Sequence, residues 1–311
     1  MADFVPGYLR PMDSRELHAR VEAARELLGK CRVCPRHCAA NRVEGETGVC
    51  RVGADPVVSS YGPHFGEESP LVGRRGSGTI FFTDCNLRCV FCQNSDISHG
   101  AEGRQVSAES LAAMMLSLQE QGCHNINFVS PTHQVPGILA ALEIAVARGL
   151  RVPIVYNTGG YDSVETLRIL DGIIDIYMPD CKYSDNETAG RLSRAPDYWD
   201  RNREALAEMH RQVGDLACDG NGVAQRGLLV RHLVLPNDLA GTAEVMGFLA
   251  SLSANTYVNV MAQYRPSYQA MEYPELARPI TAREYTDAVE MAHEAGITRF
   301  DERPKIIPAW L

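Results

Sequence analysis

Several features are missing from this chain, and each absence removes a class of protein. The first twenty residues carry no basic start followed by an apolar run, and no stretch approaches ~18 uninterrupted apolar residues. Neither a secretory leader nor a membrane partner is expected, and the chain reads as cytoplasmic. Positive charge is in deficit: 30 Lys and Arg against 39 Asp and Glu leave a formal charge of -9, which argues against a surface built for nucleic acid. Low-complexity tracts and internal repeats are absent too, so disorder and solenoids fall away. The remaining composition, 45% hydrophobic and 22% charged over 311 residues, is that of a globular protein able to bury a large core.

What the chain has is cysteine, ten of them. In a reducing compartment their grouping points to metal binding or catalysis rather than disulfides. Cys31, Cys34, Cys38 and Cys50 make one group, and Cys85, Cys89 and Cys92 a second. "DSRELHARVEAARELLGK" reads as an amphipathic helix with Asp13 as N-cap, Glu16 as its box partner and Gly29 as the stop, and it leads into the first group. Residues 31–70 show little periodicity, as expected of a loop-rich module held by a metal. Its four soft ligands suit either structural zinc or a second iron-sulfur cluster, with the metal supplying folding energy.

From Thr79 onward, strand-like and helix-like segments alternate. "TIFFT" precedes the second cysteine group, and a helix opened by Ser107, "NINFVS", "GILAALEIAVARG" and "VPIVYNT" follow, with the same alternation continuing to residue 296. Six strand and helix pairs in succession call for parallel pairing with right-handed crossovers, in an open sheet or a full or partial barrel. Functional groups in such folds gather where the strands end. Polar residues do follow strand after strand, from Asp84 through Ser130 to His133, Tyr156 to Gly160 and Pro179 to Lys182 to Gln263.

Three thiolates at the spacing of Cys85, Cys89 and Cys92 can reach three irons of a cubic cluster and leave a fourth open to a ligand. The alternative is a zinc knuckle borrowing His99. "CNLRCVFC", with Phe91 before its last cysteine and following the first strand of a β/α series, resembles the radical S-adenosylmethionine (SAM) superfamily. The resemblance implies an α/β fold, a partial (β/α)6-type TIM barrel, and a [4Fe-4S] cluster whose open iron chelates SAM. Reductive cleavage to a 5'-deoxyadenosyl radical, hydrogen abstraction from a substrate and a flavodoxin- or ferredoxin-type electron donor belong to the same expectation. It divides the chain into an N-terminal helix and cysteine-rich module, 1–70, and the barrel with a C-terminal extension, 71–311.

"CRVCPRHCAANR", "GEESP", "GSGTIFFTDCNLRCVFCQN", "HNINFVSPTH" and "RHLVLP" resemble more closely the PflX-type branch of pyruvate formate-lyase activating enzyme-like proteins. That branch implies a protein glycine as hydrogen donor; a small metabolite, or a non-catalytic iron-sulfur or zinc electron-transfer role, are the alternatives. Met178, Asp180 and Lys182 match the family's Met-x-Asp-x-Lys stretch, whose Asp and Met backbone, with Thr158, help hold a monovalent cation beside SAM, while Asn157 stands where an acid is usual and leaves that site a charge short. "SPTHQ" replaces the Gly-Gly-Glu stretch that takes the SAM amino group, which makes Ser130, Thr132 and His133 candidates for that task. A surface Asp-Lys pair and an ordinary loop histidine are the bland alternatives. Arg231 and His232 are strand neighbours, so at most one points into the mouth. Glu67 and Glu68 read as exposed loop acids, with substrate contact the alternative.

Overall fold

A computed structural model of the chain describes residues 4–10, 14–100 and 102–301. Its strands are β1 (Val57–His64), β2 (Ser77–Phe82), β3 (Arg104–Gln105), β4 (Ile126–Val129), β5 (Ile154–Thr158), β6 (Ile176–Pro179), β7 (Ala217–Cys218), β8 (Ala224–Leu233), β9 (Tyr257–Met261) and β10 (Arg299–Phe300). They lie in the order β10-β9-β8-β6-β5-β4-β2-β1-β3, with β7 beside β8. The pairs from β2 through β4, β5, β6 and β8 to β9 are all parallel. Parallel neighbours need long crossovers, which the helices Ala108–Glu120, Val135–Ala147, Val164–Ile169, Tyr198–Val213 and Thr242–Leu252 provide. The sheet ends in β3 and β10 without closing, an open partial barrel in which the two-residue β10 adds a seventh parallel strand beside β9 and β1 lies antiparallel beside β2.

Alternation along the strands sorts the side chains into two environments. Ile154, Tyr156, Tyr177, Leu228 and Val230 join the large core under the helices, beside Leu111, Leu139 and Leu206. Their neighbours Val155, Ile176, Met178 and Leu229 pack instead in a small inner cluster with Leu71 and Leu216. One inner position further along, β5 carries Asn157, the end of β6 carries Asp180 and β8 carries Arg231. The inner face is therefore apolar at its base and polar at its C-terminal end.

Segments with weak sequence signals also contribute. β1 lies within the stretch expected to be loops, ahead of residue 71, and pairs antiparallel with β2. Its half-exposed pattern and its Gly62-Pro63 step hide it from a periodicity argument. The helix Asn186–Ser193 was not expected; Asp185 caps it by accepting the Thr188 N–H at 2.7 Å. The first helix runs Ser14–Glu26, while Asp13, its expected cap, lies outside the described residues. Under the sheet the buried Asp175 carboxylate accepts the Gly7 N–H (2.7 Å) and the Ile154 N–H (3.1 Å), fastening the N-terminal segment. No helix among the described residues is long and apolar enough to cross a membrane.

Candidate functional site

A cavity of about 390 Å³ opens at the C-terminal ends of the strands, and Cys85, Cys89 and Cys92 line it together with Phe91. The loop carrying these thiols is held from several sides. Arg88 N–H and Val90 N–H donate to the Ser193 and Leu192 carbonyls (3.1 and 2.9 Å), and Gln269 N–H donates to the Val90 carbonyl (2.9 Å). Asn86 Nδ2 donates to the Tyr161 carbonyl (2.7 Å), while Arg36 Nε holds the Asn86 carbonyl (2.8 Å). Asp84, in the left-handed region at φ 65°, is anchored by Arg51 Nε at 2.8 Å. Phe91 is buried edge-on between Tyr183 and Tyr264.

Burial pushes the Cys85 thiol up to about 12 and raises Cys89 as well, so positive charge must accompany their thiolates. Among the described residues no three Cys, His, Asp or Glu groups converge as the ligands of one ion do. Thiolates on separate irons of a cluster share no such point, and the cavity beside them leaves room for a further ligand. Three soft thiolates beside an open cavity are the donor set of a cluster with a free corner. His99 does not complete a zinc knuckle: it stacks on Tyr268 with ring centroids 4.5 Å apart, and its Nδ1 lies 3.5 Å from Arg88 Nη1.

Opposite the thiols runs a chain of polar side chains. Lys182 Nζ contacts Asp180 Oδ2 at 2.5 Å, and Arg231 Nε donates to Asp180 Oδ1 at 2.8 Å. Arg231 Nη2 continues to Asn157 Oδ1 (2.7 Å), Asn157 Nδ2 faces Glu67 Oε2 (3.4 Å), and His64 Nδ1 meets Glu67 Oε1 (2.8 Å). Burial alone would raise the Asp180 pKa, but the Arg231 and Lys182 cations outweigh it and hold the carboxyl below its ordinary range. Each Asp180 oxygen already has a cationic partner. Both oxygens of the carboxylate suggested for a possible monovalent cation are thus engaged by side-chain cations. Thr158 is likewise occupied, donating to Asp162 Oδ2 at 2.7 Å in a buried network with Thr132 and Tyr156.

Asn157, Thr158, Asp180, Lys182 and Ser130 all line the cavity. The Met178 side chain belongs to the apolar layer beneath, which leaves only its backbone to face the site. His133 is turned away as well, its Nε2 3.0 Å from the Thr83 carbonyl, and Thr132 is tied into the Asp162 network. Of the strand neighbours, Arg231 faces the cavity and His232 the helices, where its Nδ1 meets the Cys181 carbonyl (2.8 Å) and its Nε2 meets Thr242 Oγ1 (3.0 Å). Glu67 and Glu68 are not the exposed acids expected, being 8% and 5% exposed. Glu67 lines the cavity, and Glu68 accepts from Asn259 Nδ2 at 3.0 Å. Their setting depends on β1 and β9 folding over them, which local sequence does not report.

The first cysteine group lies outside the cavity. Cys31, Cys34 and Cys50 are buried and Cys38 half-buried, and the four thiols lie near enough to act on one another's charge, so the four soft donors expected to hold zinc or a second iron-sulfur cluster are brought together. The buried Arg42 binds this segment to the barrel, donating to the Gly53 carbonyl (2.7 Å) and the His133 carbonyl (2.9 Å).

The family model described as the radical SAM superfamily matches residues 79–220. An uncharacterised protein of Methanocaldococcus jannaschii, MJ0674, is 34% identical over 290 residues, covering 90% of this chain and 79% of that protein. The chain belongs to the radical SAM superfamily. Membership implies a [4Fe-4S] cluster and SAM. Among solved structures, a radical SAM methyltransferase from Sphaerobacter thermophilus superposes with a TM-score of 0.47 at 16% identity, covering 71% of this chain and 66% of that one. HydG, a maturase of the [FeFe]-hydrogenase, gives 0.49 at 13% identity over 92% of this chain and 62% of that one.

Proposed function

We propose that the chain is a PflX-type radical SAM enzyme that takes a hydrogen atom from a backbone glycine of a protein substrate. Bound to Cys85, Cys89 and Cys92, the cluster would supply one-electron cleavage of SAM to a 5'-deoxyadenosyl radical. The observation that carries the reading is the meeting of these three thiols with Asn157, Thr158, Asp180 and Lys182 around one cavity. Asn157 and Ser130 offer hydrogen-bonding groups for the cofactor's amino acid end, and Lys182 offers a cation for its carboxylate. Phe91 and Leu87 give apolar walls that exclude water from the reacting centre. A flavodoxin- or ferredoxin-type protein would be the electron donor.

A protein substrate is favoured by Phe65, which stays exposed directly after the cavity-lining His64. A small metabolite is the second reading, supported by the fixed charges of Glu67 and Arg231 inside the cavity. Anaerobic reconstitution with iron, sulfide, dithionite and SAM should yield 5'-deoxyadenosine, and Cys89→Ala should lower the yield at least ~100-fold. Deuterium passing into that nucleoside from a glycine-labelled protein supports the first reading. No nucleoside from the wild-type chain, at full iron content, would refute both.

A further inference from the structure

Tyr183, Ser193 and Cys89 form a buried line of polar groups that ends on one thiol. Ser193 is the last residue of the helix Asn186–Ser193, and Arg194 after it takes a left-handed conformation (φ 51°). This end of the helix lies along the cysteine loop through the Leu192 and Ser193 carbonyls. Ser193 Oγ donates to Cys89 Sγ at 3.0 Å, and the Tyr183 hydroxyl lies 2.7 Å from Ser193 Oγ. A serine hydroxyl has one proton; with that proton on sulfur, Ser193 can only accept from Tyr183. The relay therefore runs from Tyr183 through Ser193 to Cys89. Both hydroxyl-bearing residues are fully buried, so water does not compete for these bonds.

The other two thiols are served differently. Cys85 Sγ accepts the Leu87 N–H at 3.4 Å. Cys92 lies 2.9 Å from Ser98 Oγ, but that hydroxyl donates to the Asn94 carbonyl (2.9 Å), so its proton is not free for the sulfur.

We infer that the Tyr183–Ser193 relay raises the reduction potential of the cluster carried by this loop. Both act as positioning residues, since neither is placed as a ligand, and the inference rests on reading Cys85, Cys89 and Cys92 as the cluster's ligands. Reduction adds one electron from a low-potential donor, which is itself oxidised by one electron, and no bond forms or breaks in the protein. The added negative charge spreads over the irons and their sulfurs. An O–H dipole aimed at Cys89 Sγ stabilises that charge more than it stabilises the oxidised form.

The test is a redox titration of the full chain, reconstituted anaerobically and followed by the paramagnetic resonance of the reduced cluster with dithionite as reductant. Iron and sulfide are measured on every sample. Ser193→Ala should move the midpoint to a more negative potential at unchanged iron content, and Tyr183→Phe should move it the same way by less. Ser193→Thr, which keeps the hydroxyl, should stay near wild type. Wild-type midpoints in Ser193→Ala and Tyr183→Phe would overturn the relay. Should Ser193→Ala load less iron, Tyr183→Phe decides alone: it touches no thiol and keeps the ring against Phe91 and Tyr198. An unchanged midpoint there overturns the proposal. A different failure marks the underlying reading, namely a wild-type signal that survives in Cys89→Ala.

Discussion

His133 shows how far a single residue can lie from the role its position suggests. Burial pushes its pKa down to about 3, with the Arg42 and Arg88 cations adding to the effect, so the ring is neutral in the folded chain at ordinary pH. An unfolded histidine takes up its proton near 6.5. The unfolded state therefore binds more protons between those two values, and stability should fall as pH drops below about 6.5, by up to about 1.4 kcal/mol per pH unit. Denaturant unfolding of wild type and His133→Gln between about pH 7.5 and pH 5 checks this. The wild-type advantage should shrink toward acid, and a pH-independent difference would contradict the assignment. Sequence placed His133 correctly in the loop after β4, but the direction of its ring is fixed by the Thr83 carbonyl, 50 residues away in the chain. Arg231 is the converse case. Strand alternation allowed either it or His232 to face the mouth, and only the meeting of β8 with Asp180 and Asn157 on neighbouring strands shows that it is Arg231.

At the scale of elements, the loop after β5 depends on a glycine for a definite reason. Gly160 has φ 77°, and a Cβ there would stand 2.1 Å from the Asp180 carbonyl oxygen and 2.3 Å from Asn202 Nδ2. Asn202 Nδ2 donates to both the Gly160 and Asp180 carbonyls (2.8 and 3.0 Å), so the clash would spread to the end of β6. Gly160→Ala should cost at least about 2 kcal/mol, from left-handed strain and overpacking together, read by chemical denaturation. It should also weaken SAM binding in a calorimetric titration, because Asp180 and Lys182, which we propose face the cofactor, would shift. The repeating strands and helices were legible because each buries a periodic face. β1 and the helix Asn186–Ser193 were not, since one is half-exposed with an internal proline and the other is two turns long. That short helix carries Ser193, whose only advance signal was Asp185 three residues ahead of Thr188.

Across the whole molecule, the cysteine-rich segment and the barrel act on each other through arginines. Arg42 is almost wholly buried and bridges the Gly53 and His133 carbonyls, while Arg51 anchors Asp84 at the start of the thiol loop. Arg42→Met would keep much of the volume and leave the buried His133 carbonyl without its donor, at about 1–3 kcal/mol, and the part-buried Gly53 carbonyl without its own. Limited proteolysis should then cut within residues 31–55 well before the barrel, whereas wild type should resist at both places. Equal resistance in the two proteins would mean that the segment is held by other contacts.

The amino acid order alone determined the parallel β/α frame, the three-thiol loop at the end of the first parallel strand, and the superfamily to which both belong. Those are local matters of periodicity and spacing. Tertiary structure decided that Glu67 is a buried cavity acid, that Asp180 is bound by Arg231 as well as by Lys182, that His133 turns away, and that Ser193 reaches Cys89. Each of these rests on groups that meet only when separate strands and loops converge, because burial and charge pairing depend on distance in space and not along the chain.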